Sequence, residues 1–148
     1  MTASGSADQP AVVEQHALVD ALVQTSFVTM ALLNRLGAEH DLSLTQLRVL
    51  AILRDRRLKM TELADYLGLD KSTMTGLVDR AEKRGLLERV RNPTDGRAVD
   101  VRISPGGAKL ADRLYADVER SLSPMTSTLT RAEQRRLRML LESMLHRP

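Results

Sequence analysis

Apolar residues recur at helical spacing along most of this 148-residue chain. Between Val12 and Leu36 they form a band broader than one stripe, which predicts a long helix that needs more partner surface than one small domain provides. We expect this helix to pack partly against a second subunit, and an ordinary central helix in a monomer is the alternative. The small, polar segment Met1–Pro10 predicts a frayed lead-in.

Capping signals divide the following part of the chain into shorter helices. Ser43 and Gln46 form a capping-box pattern, Asp70 is a good N-cap, and Gly85 is suited to end a helix. The connector Arg56–Met60 allows a short strand. The predicted helices cover residues 44–55, 61–67 and 71–84.

A β-hairpin is predicted after these helices. Val99, Val101 and Ile103 alternate with polar residues as in a half-buried strand, Leu87–Arg91 supplies its partner, and Asn92–Gly96 is rich in turn residues. Two further helices follow, the first opened by Ser104-Pro105 and the second by a capping box at Thr130 and Glu133.

This order of elements predicts a mainly α fold with a small β-hairpin wing, a winged helix-turn-helix flanked by dimerisation helices. We divide the chain into an N-terminal tail and dimerisation helix (residues 1–42), a DNA-binding domain (43–104) and C-terminal dimerisation helices (105–148).

The helix predicted after Asp70 has two distinct faces. Its apolar residues fall at i, i+3, i+4 and i+7, which predicts a buried stripe of Met74, Leu77, Val78 and Ala81. The other side carries short hydroxyls, a glycine and basic groups of a size that fits the major groove of B-DNA. We expect DNA contacts there from Ser72, Thr73, Thr75, Gly76, Arg80 and Lys83.

The hairpin carries four arginines between Arg89 and Arg102. Arg97 at the tip is placed to reach an adjacent minor groove, whose negative potential attracts arginine. We expect Asp95 to orient Arg97. The other three, Arg89, Arg91 and Arg102, either contact phosphates or pair across the strands with Glu88 and Asp100.

Charge and composition narrow the function further. The chain carries a net charge of +3, and the middle segment is basic, which suggests a polyanionic partner, nucleic acid before a membrane surface; on charge alone, a merely solvated surface is an equal alternative. No cysteine is present, the three histidines are scattered, and no nucleophile–base pair or phosphate loop is found. We therefore expect neither an enzyme nor a metal or cofactor site. No signal peptide is recognisable and no apolar run looks long enough to span a bilayer, which predicts a cytoplasmic protein without a membrane partner.

The segment Thr61–Gly107 resembles the MarR family of bacterial transcriptional regulators, as do the long helix before it and the two after it. The wing pattern of that family is matched by Asp95, Arg97, Val99, Val101, Ser104 and Gly107. One departure is Ala81, where the family usually has leucine, which loosens the local packing.

The resemblance implies a homodimer with intertwined terminal helices and two winged domains. Its partner is double-stranded DNA, read as a pseudo-palindromic operator. The resemblance also implies repression relieved by a small, often anionic aromatic, ligand between the dimer helices and the winged domain. Candidate pocket residues are Phe27, Arg48 and Tyr115, each of which has ordinary core or surface roles as the alternative. The rival function is a winged helix that contacts proteins and does not bind specific DNA.

Overall fold

The computed structural model describes residues 9–146, with side chains from residue 11 onward. The predicted lead-in therefore lies largely outside the described residues. Six helices and three strands follow in the order α1 Gln9–Ala38, α2 Leu44–Leu53, β1 Leu58–Lys59, α3 Met60–Leu67, α4 Lys71–Lys83, β2 Leu87–Arg91, β3 Val99–Ile103, α5 Pro105–Thr126 and α6 Arg131–Leu145. The predicted fold class, a mainly helical winged helix-turn-helix, is confirmed.

The predicted caps form as hydrogen bonds. Ser43 Oγ accepts the backbone N–H of Gln46, whose side chain accepts the N–H of Ser43 in return. The same reciprocal pair joins Thr130 and Glu133. These contacts satisfy N–H groups that the first turn of a helix leaves without a partner. Gly85 follows α4 with φ of +72°, a conformation that favours glycine.

The sheet has the order β1-β3-β2 and is antiparallel throughout. β1 arises from the connector before α3 and pairs Lys59 with Asp100. The predicted alternation along β3 is wrong at its start, where Val99 is exposed and Asp100 is only 3% exposed. The reason is that β1 covers the β3 edge at Asp100, a contact that the alternating pattern of β3 alone does not encode.

The core is aliphatic and centred on α4. Met74, Leu77, Val78 and Ala81 are all buried, as predicted, and pack with residues of α2, α3, β2 and β3. A small surface pocket of about 10 Å³ lies beside Ala81.

The turn into α5 explains the Ser-x-x-Gly spacing. Ser104 Oγ accepts the backbone N–H of Gly107 at 2.9 Å and donates to the carbonyl of Gly85. A Cβ on Gly107 would overlap the carbonyl oxygen of Leu86. Glycine is therefore required there by the close approach of the α4–β2 connection to the first turn of α5.

Arg84, at the C-terminal end of α4, ties this helix to the segment after α1. Its guanidinium donates to the carbonyl of Asp41 at 2.7 Å and to that of His40 at 2.8 Å. Asp41 itself has φ of +54°. The end of α4 and the segment that follows α1 are therefore joined directly.

α1 carries a broad exposed apolar surface. By length and composition, Ala11–Ala38 is sufficient to cross a membrane, so the prediction that no apolar run is long enough is wrong by those measures. A helix of this length and composition can either span a membrane or pack on a second subunit. Only Leu32 and Leu36 of its large apolar residues are buried within the chain.

Candidate nucleic-acid interface

Asp70 anchors the N-terminus of α4 with three hydrogen bonds. It accepts the backbone N–H of Thr73 at 2.7 Å and the hydroxyls of Ser72 and Thr73 at 2.9 Å each. The Thr73 N–H is the largest cause, followed by these hydroxyls, of the lowering of the pKa of Asp70 to about 2. The two hydroxyl hydrogens are thus directed at Asp70, which leaves the hydroxyl lone pairs free to accept.

The side of α4 away from the core carries the predicted major-groove residues. Ser72, Thr73, Arg80 and Lys83 are exposed, whereas Thr75 and Gly76 are half-buried. Thr75 Oγ1 donates to the carbonyl of Lys71 at 2.8 Å. A Cβ on Gly76 would meet only Arg80 Nη1, at an ordinary contact distance of 3.4 Å. Packing within the chain therefore does not require glycine at position 76.

Asp95 and Arg97 lie in the loop between β2 and β3. Asp95 Oδ1 accepts the backbone N–H of Arg97 at 3.1 Å, and its Oδ2 lies 3.8 Å from Lys59 Nζ. Asp95 therefore holds the backbone of Arg97, whereas the prediction was that it orients the Arg97 side chain.

The other hairpin arginines are held by neighbouring groups. Arg102 pairs with Glu88 across the strands at 2.9 Å, one of the two predicted alternatives. Arg89 instead pairs with Asp79 and Glu82 of α4. The prediction that it pairs with Glu88 or Asp100 is wrong, since β2 lies directly against the C-terminal half of α4.

Arg91 lies under the turn of the wing. Its guanidinium is close to Gly96, where a Cβ would come within 3.1 Å of Nη2. A side chain at position 96 would therefore crowd Arg91.

A cleft of about 260 Å³ separates the N-terminal half of α4 from the wing. It is lined by four cationic side chains and by small or apolar residues: Lys59, Met60, Thr61, Lys71, Thr75, Arg89, Arg97, Ala98 and Val99. Sequence reasoning missed Lys59 and Lys71. Lys71 could have been found from the sequence, because it stands in the first turn of α4. Lys59 could not, because it reaches the cleft through the pairing of β1 with the wing.

A second cavity, of about 480 Å³, lies between α1, α2 and α5. Arg48 and Tyr115 line it as predicted, among residues that are otherwise mostly aliphatic. Phe27 is not among the lining residues and is 63% exposed on α1. Of the three predicted pocket residues, Phe27 is therefore the one that the structure does not place at this cavity.

Arg54 is the functional candidate of this cavity that sequence reasoning missed. Its guanidinium lies 4.3 Å from the centre of the Tyr115 ring and 3.3 Å from Asp112 Oδ1. The arginine therefore stacks on the only aromatic residue among the lining side chains. Within residues 9–146, no group of three or more His, Asp or Glu side chains is suited to hold a metal ion.

Comparison with known proteins matches both the sequence and the fold to one family. The model described as MarR family matches residues 40–98. The chain is 32% identical over 116 residues to the multiple antibiotic resistance protein MarR of Salmonella typhimurium, covering 77% of this chain and 81% of that protein. It is 36% identical over 76 residues to the uncharacterised HTH-type transcriptional regulator YfiV of Bacillus subtilis, about half the length of each.

Two solved structures share the arrangement of helices and wing. A mutant of MarR from E. coli in complex with operator DNA has a TM-score of 0.64 and 28% identity, covering 96% of this chain and 99% of that chain. NadR in complex with 4-hydroxyphenylacetate has a TM-score of 0.75 and 20% identity, covering 100% and 98%. The second similarity concerns the fold alone.

Proposed function

This chain belongs to the MarR family of transcriptional regulators, and on that premise we propose that it is a homodimeric repressor that binds a pseudo-palindromic operator. The observation that carries the proposal is the cleft between α4 and the wing, lined by Lys59, Lys71, Arg89 and Arg97. A DNA strand that passes from the major groove to the adjacent minor groove presents its phosphates between those two elements. In this proposal the protein is a cytoplasmic regulator rather than an enzyme.

The proposed major-groove contacts come from Ser72, Thr73, Thr75, Gly76, Arg80 and Lys83. Because the hydroxyls of Ser72, Thr73 and Thr75 donate within the chain, their remaining capacity is to accept hydrogen bonds. Adenine N6 and cytosine N4 are the donors that the major groove offers. Gly76 allows the DNA to approach the helix closely, and Arg80 and Lys83 bind guanine edges or phosphates.

Arg97 is proposed as the minor-groove residue of the wing, with Asp95 fixing the loop that carries it. It stands on an exposed hairpin, at the opposite wall of the cleft from Lys71 and Thr75. A single guanidinium in a narrow minor groove recognises groove width more than base identity. Specificity in the major groove therefore belongs to α4, and the wing adds affinity and shape recognition.

We propose that α1 and the C-terminal helices form the dimer and are not embedded in a membrane. α6 has no buried residue within the chain, and large apolar side chains are exposed on both helices: Val12, Val13, Leu18, Val19, Val23, Phe27, Val28, Leu137, Met139, Leu140, Leu141, Met144 and Leu145. Apolar surface of this extent marks an interface. Glu14 and Asp20 on α1 favour a protein partner over lipid.

The cavity between α1, α2 and α5 is the proposed effector site. Arg48 and Arg54 supply positive charge at a wall that is otherwise mostly apolar, which suits a small anion with an apolar body, such as an aromatic ring. The NadR structure contains such a compound, 4-hydroxyphenylacetate. A ligand that favours a helix spacing unsuited to DNA weakens DNA binding by linkage.

The experiment is selection of binding sites from randomised DNA, followed by footprinting on the selected operator across a salt series. Wild type should protect a pseudo-palindrome with two chains per site, and affinity should fall steeply with salt. Arg97→Ala should bind about tenfold more weakly or worse. Arg120→Ala, which removes the same charge from α5, is the matched control.

Two results would contradict the proposal. If no preferred sequence is recovered, the rival function, a winged helix that contacts proteins, is favoured. If Arg97→Ala binds with wild-type affinity, the wing is not part of the DNA interface. The effector is tested in the same assay, because 4-hydroxyphenylacetate at millimolar concentration should release wild type and should act less on Arg48→Ala.

A further inference from the structure

Asp100 is a buried carboxylate at the base of the wing loop, residues 92–98, which is mostly exposed. It is 3% exposed, and a carboxylate in that position is unfavourable unless hydrogen bonds and a counter-charge compensate for the lost water. Its Oδ1 accepts the side-chain amide N–H of Asn92 at 2.7 Å. Its Oδ2 lies 3.5 Å from Arg57 Nε. Asp100 therefore links the strand β3, the start of the wing loop and the segment before β1.

The bond to Asp100 fixes which way the Asn92 amide faces. With Nδ2 directed at the carboxylate, Oδ1 points into the loop and accepts three hydrogen bonds. They come from the backbone N–H of Thr94 at 3.0 Å, its hydroxyl at 2.9 Å and the backbone N–H of Asp95 at 2.9 Å. A reversed amide would set its own N–H groups against two backbone donors and its oxygen against a carboxylate.

The same chain of bonds continues to the tip of the wing. The backbone of Asp95 is held by Asn92, and the Asp95 side chain accepts the N–H of Arg97 at 3.1 Å. The loop is closed by two backbone bonds, from Ala98 N–H to the Asp95 carbonyl at 3.0 Å and from Asn92 N–H to the Ala98 carbonyl at 3.3 Å. Each link orders the next one, from the buried end outward to Arg97.

We propose that Asn92 and Asp100 are positioning residues for Arg97, with Arg57 as the counter-charge of the buried carboxylate. The network holds the loop in its DNA-binding conformation before DNA arrives, so that binding does not have to order it. This inference rests on the proposed role of Arg97 in the minor groove. Neither Asn92 nor Asp100 needs to touch DNA.

The test is a double-mutant cycle between Asn92→Ala and Arg97→Ala, measured as affinity for the selected operator. If Asn92 acts through Arg97, Asn92→Ala should weaken binding about five- to tenfold in the wild-type background. The same change should cost less than twofold once Arg97 is absent, because there is no guanidinium left to position. Minor-groove protection at the wing should disappear in Asn92→Ala while major-groove protection by α4 remains.

Two further variants separate positioning from general stability. Glu88→Gln disrupts the Arg102 pair in the same hairpin without touching the network, and its affinity should stay within twofold of wild type. Asp100→Asn retains an acceptor oxygen for Asn92 and should bind better than Asp100→Leu, which has none. If Asp100→Leu proves unfolded by thermal denaturation, the Asn92→Ala cycle decides the question without it.

Equal losses from Asn92→Ala in both backgrounds, or no loss in the first, would overturn the inference. Failure of the proposed function gives a different pattern. In that case either no preferred operator is recovered, or Arg97→Ala itself binds like wild type.

Discussion

Replacement of Arg89 by methionine should weaken both the fold and DNA binding. Arg89 on β2 donates from one guanidinium to Asp79 and Glu82 of α4, and its backbone N–H donates to Glu82 Oε1 at 3.2 Å. Its side chain is 27% exposed. Partial burial lowers the pKa of Arg89, but the hydrogen bonds and charges of the two carboxylates outweigh burial and raise it. The charged side chain of Arg89 thus joins the wing to α4.

The expected loss of stability follows from the two ion pairs. An exposed pair contributes about 0.2–1 kcal/mol, and the limited exposure of Arg89 places these near the upper end. Methionine keeps most of the apolar stem, so the packing loss is small. We expect the free energy of unfolding to fall by about 1–2 kcal/mol, which lowers Tm by roughly 3–6 °C.

The effect on DNA binding is electrostatic. Arg89→Met removes one positive charge close to the proposed positions of the phosphates, whereas the charges of Asp79 and Glu82 are the same before and after the change. At a separation of about 10 Å in water, the lost attraction to one phosphate is about 0.4 kcal/mol before salt screening. This corresponds to a roughly twofold loss of affinity.

Urea unfolding and operator binding measure the two effects separately. The matched background is Asp79→Asn with Glu82→Gln, in which the carboxylates are already neutral. There, Arg89→Met should cost less than half as much unfolding free energy as in wild type, because no ion pair to α4 is left to lose, whereas its cost in affinity should be similar in both backgrounds. An unchanged urea midpoint and unchanged affinity in the single variant would refute the reasoning that these pairs join the wing to α4.

Two further predictions concern the ends of α4. Because the pKa of Asp70 is lowered to about 2 from 3.8, its stabilising contribution is complete above pH 4 and is lost as pH falls toward 2. The unfolding free energy of wild type relative to Asp70→Asn should therefore decline over that range, and a constant difference would contradict this. Arg84→Ala breaks two bonds to the segment after α1 and should lower the unfolding free energy by about 1–2 kcal/mol. Among the residues that the structure describes, Arg56 bonds only to its neighbour Asp55, so Arg56→Ala should change the unfolding free energy by less than about 0.5 kcal/mol.

The elements of the fold were predictable wherever the signal was local. The capping box at Ser43 and the N-cap at Asp70 involve residues no more than three positions apart, so the sequence displays the whole interaction. The buried stripe of α4 was predictable for the same reason, since helical periodicity alone selects Met74, Leu77 and Val78. Each of these features formed as expected.

Features that depend on contacts between distant segments were not predictable. Asp100 looked like the outward residue of an alternating strand, and its burial depends on Arg57 and β1, about forty positions earlier. Arg54 and Tyr115 are about sixty positions apart in sequence, and the packing of α2 on α5 brings them together. Phe27 was placed near the pocket from its apolar character alone, and helical periodicity did not show that it lies outside the lining of this cavity.

Acidic residues close to the proposed DNA surface have a common arrangement. Asp70, Asp95 and Asp100 each accept hydrogen bonds that fix the first turn of α4 or the wing, and Asp79 pairs with Arg89. Near phosphates, each negative charge weakens binding to any DNA, because that part of the affinity depends on charge alone. The ordering that these carboxylates provide helps only where the groove matches the fixed geometry. We therefore expect these carboxylates to lower non-specific affinity more than operator affinity, which would raise the ratio on which a regulator depends in a genome.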